Sequence, residues 1–312
     1  MKKIIRTIPA LLIAFMVFGC ASFKQGMYDS MLSMERSRVG VTQSSITVDG
    51  LALSYLERPG DGETVVLIHG FGADKYNWIR FINHIPKDYR VLAFDMPGHG
   101  DSGKPLDKTY TIDYMAESLD KAVAALGIAK FHLAGNSMGG WISIYYANKN
   151  PGKVLTLCLV DNAGLQNISP EPSDLAIALS KGLSPLTPTS QQEYDELMWY
   201  AFYKKPFIPW PVTSVLADRA IATSDFNKKV WKEFTTQSTD IIPMLPGLNL
   251  PILVIWGDKD RILHVSTTEL LKKSVKNPEI VVMKDCGHLP MVERPYETAG
   301  YYKSFLLKHK NG

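Results

Sequence analysis

The sequence predicts an α/β fold: a mostly parallel eight-stranded sheet with flanking helices and a helical cap. Three observations predict it. Short apolar runs recur along the chain, each ending in turn residues; helical periods lie between them; and one proline- and aromatic-rich stretch interrupts that rhythm. A chain of 312 residues has ample surface to bury such a core as one large domain with an insertion.

The first twenty residues, "MKKIIRTIPALLIAFMVFGC", set a positive n-region before an apolar run, the layout of a secretory signal. The run ends in "VFGC", which resembles a bacterial lipobox and makes Cys20 the site for lipid attachment, although Phe18 is bulkier than that pattern favours. The competing anchor is an uncleaved helix over residues 7–23, short for a span but feasible. Both readings export the body and hold it at a membrane, facing the periplasm. The segment after it places Met27, Met31 and Met34 on one helical face, with Tyr28 and Leu32 beside them. That face can lie on a bilayer or pack on the body.

Charge excludes one class of partner. Of 34 basic residues, Lys2, Lys3 and Arg6 belong to the leader; the 31 that remain are balanced by 31 acidic residues. A neutral body offers no nucleic-acid surface. No feature of the sequence specifies an oligomeric state, and the spacing of Cys158 and Cys286 calls for no disulfide.

Further along, "SITVDGLALSYLE" reads as a hairpin turning at Asp49-Gly50. "TVVLIHG", "YRVLAFDMPG", "KFHLAG", "VLTLCLVDNAG", "PILVIWGD" and "EIVVMKDCGH" read as buried strands. Met115, Leu119, Val123 and Leu126 mark one of the helices between them, with Thr111 as its cap. Residues 165–247 lack a clean strand and are broken by prolines, so they form the cap. The organisation expected is a signal or anchor over 1–24, a juxtamembrane helix or linker over 25–43, a core over 44–164 and 248–312, and the cap between its halves. In such a sheet, functional residues gather at the carboxyl ends of the strands.

The chemistry starts at "GNSMG", Gly135 to Gly139, which matches G-x-S-x-G between a strand and a helix. That context puts the Ser137 hydroxyl on a sharp turn, where it needs a base to become a nucleophile. Of the seven histidines, His288 follows the last strand and precedes the final helix, where this fold would put a base. His132 reads as packed inside a strand, and His69 as holding the "HGFG" loop. The base needs a carboxylate to fix its tautomer. Asp260 is read as that partner, because the loop "GDKDRI" can carry it toward His288; Asp258 reads as a turn residue and Asp161 as a strand-end residue near the cap. The N–H groups of Met138 and Phe71 are the donors expected for an oxyanion. No metal cluster, GxGxxG or P-loop pattern is present, so no metal or cofactor is expected.

Taken together, "HGFG", "DMPGHGDSGKP", "GNSMGG", "VIWGDKDRI" and "CGHLPMVERP" resemble the α/β-hydrolase superfamily over residues 44–308. "HGFGADKYNW" resembles the loop of membrane-associated proteobacterial lipases and monoacylglycerol lipases in particular. The resemblance implies a carboxylic-ester hydrolase acting on lipid-like substrates through an acyl-enzyme on Ser137. It also implies Asp260 and His288 as triad partners, and Phe71 and Met138 as the oxyanion hole. Carbon–carbon hydrolases share GNSMGG but usually carry an aromatic after the catalytic histidine, where this chain has Leu289. A catalytically silent, membrane-tethered scaffold is the rival from another class. Among the cap aromatics, Trp199, Phe202, Tyr203 and Phe207 are the candidates for contact with an acyl chain, and Lys204 and Lys205 for anionic headgroups.

Overall fold

The computed structural model describes residues 8–310, with side chains from residue 22 onward. Lys2, Lys3 and Arg6 and the side chain of Cys20 therefore lie outside the described residues. Eight strands form one sheet: β1 (Thr42–Val48), β2 (Leu51–Arg58), β3 (Thr64–Ile68), β4 (Arg90–Phe94), β5 (Phe131–Asn136), β6 (Val154–Val160), β7 (Ile252–Gly257) and β8 (Glu279–Met283). Their spatial order is β1-β2-β4-β3-β5-β6-β7-β8. Only β2 runs against its neighbours; from β4 to β8 all pairings are parallel. The β1–β2 hairpin turns at Asp49 and Gly50, with φ of 49° and 77°. Two positive φ angles are what a two-residue turn needs to match the twist of its strands.

Strands β3, β5, β6 and β7 are buried almost throughout, which explains their unbroken apolar runs. One apolar layer packs Ile112–Ala125 and Met138–Lys149 on one face of the sheet. The other packs Pro295–Lys308 on the opposite face. The Thr111 hydroxyl accepts the Tyr114 N–H and caps its helix as the sequence predicts. Between β6 and β7 lie the helices Asp174–Ser180, Gln191–Ala201, Trp210–Ala222 and Ser224–Gln237, in the stretch expected to form the cap.

At the N-terminus, one helix runs unbroken over Ile8–Val39, across the boundary expected at residue 24, and β1 starts at Thr42. Among the described residues no helix is long and apolar enough to cross a membrane. The helix packs on the body. Tyr28 is fully buried, the Arg219 guanidinium lies 4.6 Å from its ring centroid, and Lys24 reaches Ser214 at 2.9 Å and Asp218 at 3.0 Å. Met27 and Met34 face outward.

Candidate active site

Ser137 sits between β5 and the helix Met138–Lys149 with φ 55° and ψ −120°. A serine rarely adopts this left-handed conformation, which costs on the order of 1–3 kcal/mol. The surroundings hold it there. A Cβ on Gly135 would lie 2.2 Å from the Gly139 carbonyl oxygen, and one on Gly139 would lie 2.4 Å from that of Ile68. Only glycine allows strand, helix and the loop after β3 to meet this closely. The Ser137 N–H donates to the Val160 carbonyl at 3.1 Å, and its own carbonyl accepts the Ala163 N–H at 2.9 Å.

His288 and Asp260 come together from the loops after β8 and β7. His288 Nδ1 donates to Asp260 Oδ2 at 2.7 Å, and both side chains are buried. Asp260 Oδ1 accepts the N–H groups of Ile262 at 2.8 Å and Leu263 at 3.0 Å, so its orientation is fixed from two sides. A Cβ on Gly257 would lie 2.2 Å from the Gly287 carbonyl, so that glycine lets the two loops touch. Asn136 ties His288 to the serine turn: its amide donates to the carbonyls of His288 and Val160, each at 3.1 Å.

The "HGFG" loop lies over the same strand ends. A Cβ on Gly70 would stand 3.1 Å from that of Ser137. Burial lowers the affinity of His69 for a second proton. Its Nε2 accepts the Met96 N–H at 3.0 Å and its Nδ1 faces the Gly70 carbonyl at 2.6 Å, which places the single ring proton on Nδ1. His69 thus holds the loop. Met138 is the first residue of its helix, where N–H groups lack intrahelical partners and favour negative charge. His132 packs as expected, bonded to Thr156 at 2.9 Å.

The loop also rests on an ion cluster that the sequence reading missed. The Lys75 ammonium is fully buried, 2.6 Å from Asp95 and 2.7 Å from Asp101. Next to it, Asp74 accepts the Tyr76 N–H at 2.8 Å and caps the short turn Lys75–Trp78. Burial, then the neighbouring Asp95, push its carboxyl up to about 6. A raised carboxyl favours the folded state fully below its unfolded value near 4, and that contribution is lost as pH rises through about 6. Asp74→Asn keeps the cap without the charge. Its melting temperature relative to wild type should therefore climb between pH 4.5 and pH 8, read by scanning calorimetry across about that range. An offset that stays flat with pH overturns this account.

The predicted cap residues do not gather in one place. Trp199 is half exposed with Arg261 stacked 4.1 Å from its ring, Phe202 is buried, Tyr203 is half-buried, and Phe207 is 85% exposed. The aromatics that meet the Phe71 loop come instead from Ser224–Gln237. Trp231 and Phe234 lie 5.2 Å and 5.5 Å from the Phe71 ring, and Trp141 lies 6.1 Å from Phe234. The signal was the helical spacing of Val230 and Phe234, both buried.

The stretch expected to form the cap is fastened to the loops that carry Asp260 and His288. Arg261 donates to the carbonyls of Trp199 at 2.6 Å and Phe202 at 3.0 Å. Glu293 accepts the N–H groups of Tyr203, Lys204 and Gly287 at 3.0–3.1 Å, and the His288 N–H donates to Ala201 at 3.0 Å. Asp161, Asp260 and His288 are the one group among the described residues whose ligand atoms, within 4.8 Å of one another, could approach a cation. His288 and Asp260 are already bonded to each other at 2.7 Å. Cys158 and Cys286 are both buried and free.

Residues 63–295 match the family model described as the alpha/beta hydrolase fold. The chain belongs to the α/β-hydrolase family. Among curated relatives of this hydrolase, Lipase 3 of Moraxella sp. (strain TA144) is 33% identical over 304 residues, covering 95% of this chain and 96% of that protein. Human monoacylglycerol lipase is 30% identical, covering 83% of this chain and 79% of its own length. The crystal structure of a membrane phospholipase A, described as a bacterial virulence factor, superposes with a TM-score of 0.91 at 39% identity, over 97% of each chain. The enzyme is thus an α/β hydrolase of the lipase and esterase type.

Proposed function

We propose that this α/β hydrolase is a membrane-anchored serine carboxylic-ester hydrolase that cleaves acylglycerols or phospholipids through an acyl-enzyme on Ser137. The observation that carries the reading is the buried 2.7 Å bond from His288 to Asp260, beside a serine held at φ 55°. With Nδ1–H given to Asp260, His288 Nε2 is the nitrogen that takes the Ser137 proton. The oxygen attacks the ester carbonyl, and the Phe71 and Met138 N–H groups receive the developing oxyanion, each donor contributing about 10²–10³ in rate. Collapse expels the alcohol or lysolipid, which takes the proton from His288. Water then repeats the sequence: His288 accepts its proton, hydroxide attacks the acyl carbon, and fatty acid leaves as Ser137 regains its proton.

Lipid substrates are supported by the names of the relatives and by the aromatic set Phe71, Trp141, Trp231 and Phe234 beside the oxyanion loop. Anchoring and a periplasmic body are supported by the basic, apolar leader of residues 1–20, which ends in the lipobox-like "VFGC". Three measurements test the proposal. A fluorophosphonate probe should add one adduct at Ser137, and folded protein without it refutes the mechanism. Fatty-acid release from vesicles of defined monoacylglycerol, triacylglycerol and phospholipid identifies the headgroup, and no release from any refutes the substrate class. Mass spectrometry of the mature N-terminus should show a lipid on Cys20; an intact Met1 overturns that site in favour of a helical anchor.

The acyl-chain reading has its own test. Trp231→Ala should raise KM for a p-nitrophenyl decanoate by about tenfold, from lost apolar contact, and leave that for the acetate within about twofold. Equal effects on both esters would remove Trp231 from the acyl site.

A further inference from the structure

Asp161 is a buried acid that the mechanism does not use. It follows β6 directly, at φ 43°, a conformation unusual for any residue but glycine. Its side chain is fully buried, and its Oδ1 accepts the Gly257 N–H at 2.9 Å. The other oxygen, Oδ2, is buried and receives no N–H or O–H from the described residues. One oxygen of Asp161, one oxygen of Asp260 and a nitrogen of His288 all fall within 4.8 Å of one another, so the two buried carboxyl groups are close neighbours.

Two ionised carboxylates this close in a buried site repel each other, and neither has a hydrogen to give the other. A proton on one of them relieves both defects, and the donor count decides which acid carries it. Asp260 already accepts from Ile262, Leu263 and His288. Asp161 accepts from Gly257 alone. Burial, and then the negative charge of Asp260, push the Asp161 carboxyl well above the usual carboxylate range. Glu293 acts in the same direction from the loop after β8, and Cys286 on that loop faces the same space as a buried thiol that supplies no charge.

We infer that Asp161 is a positioning residue: a neutral carboxylic acid that donates its proton to Asp260 and so fixes how that carboxylate, and the charge on it, faces His288. The assignment rests on Asp260 acting as the partner of His288 in the proposed reaction. A donor on Asp260 draws charge away from the Nδ1 side, so its loss strengthens the hold of Asp260 on the imidazolium. The acid limb of the kcat/KM profile then moves to higher pH.

The test compares three full-length proteins on a p-nitrophenyl ester. Asp161→Ala removes the donor, and should lower kcat about tenfold or more with KM little changed and the acid limb displaced upward. Asp161→Asn keeps a side-chain N–H for Asp260 and an oxygen for Gly257, and should restore most of the kcat and the wild-type limb. Infrared difference spectra should show a protonated carboxyl band in wild type at neutral pH that is missing from Asp161→Asn. If Asp161→Ala fails to fold, the infrared pair and the Asp161→Asn profile still decide. An Asp161→Asn enzyme as impaired as Asp161→Ala, or a wild-type spectrum without the band, overturns the inference. Fluorophosphonate labelling of wild-type Ser137 separates this from failure of the serine mechanism itself, because that adduct forms whichever way Asp161 is protonated.

Discussion

Ser137→Ala should lower kcat/KM for a p-nitrophenyl ester by at least about 10⁴, while melting within about 2 °C of the parent. The loss follows from removing the oxygen proposed to attack the ester carbonyl. A residual rate is expected from binding and the oxyanion hole alone. Ser137→Gly separates chemistry from strain. The backbone at φ 55° suits glycine, so that variant should be equally inactive yet more stable, by about 1 kcal/mol in denaturant titration. Activity in either variant beyond about a hundredth of wild type would refute Ser137 as the nucleophile.

Lys75→Met should be the most damaging change away from the reacting atoms. The ammonium is fully buried between Asp95 and Asp101. Burial opposes its charge, but those carboxylates more than offset it and hold it above the ordinary lysine range. Its stabilising contribution is therefore complete at neutral pH and is lost only in strong alkali. Removing the cation leaves Asp95 charged and buried, a defect that typically costs about 3–5 kcal/mol. Asp95 also accepts the backbone N–H groups of Lys75 at 2.7 Å and Asp101 at 2.8 Å, so the turn after the Phe71 loop loosens with it. Chemical denaturation and kcat should both fall, and Lys75→Met with Asp95→Leu should regain part of the stability. A single variant within about 1 kcal/mol of wild type would show the pair to be dispensable.

These two residues also mark what was legible in the sequence. Ser137 lay in a motif whose meaning depends only on neighbours: a strand before it, a helix after it, glycines on both sides. The strands were legible for the same reason, since a sheet covered on both faces leaves continuous apolar runs. Lys75 gave no such signal. It stands among polar residues in "GADKYN", and its burial depends on Asp95 and Asp101, which fold over it from another loop. Trp231 and Phe234 were hidden differently. A denser aromatic cluster lies over residues 198–210, but composition says nothing about which side of a helix meets the core. The structure leaves Phe207 and Trp210 outside and turns Phe234 in.

The N-terminal helix has a mechanical consequence. From Cys20, the proposed anchor point, it runs to Val39 as a rod of about 30 Å, and only Gly40 and Val41 separate it from β1. Flexible tethers let a tethered body tumble and sample many orientations. Here the rod is bolted along its side, through Lys24 and Tyr28 to the helix Trp210–Ala222, and through Arg36 to Tyr76 at 2.7 Å beside the Phe71 loop. Whatever holds Cys20 therefore sets the tilt and height at which Ser137 stands, as a crane's mast sets its hook.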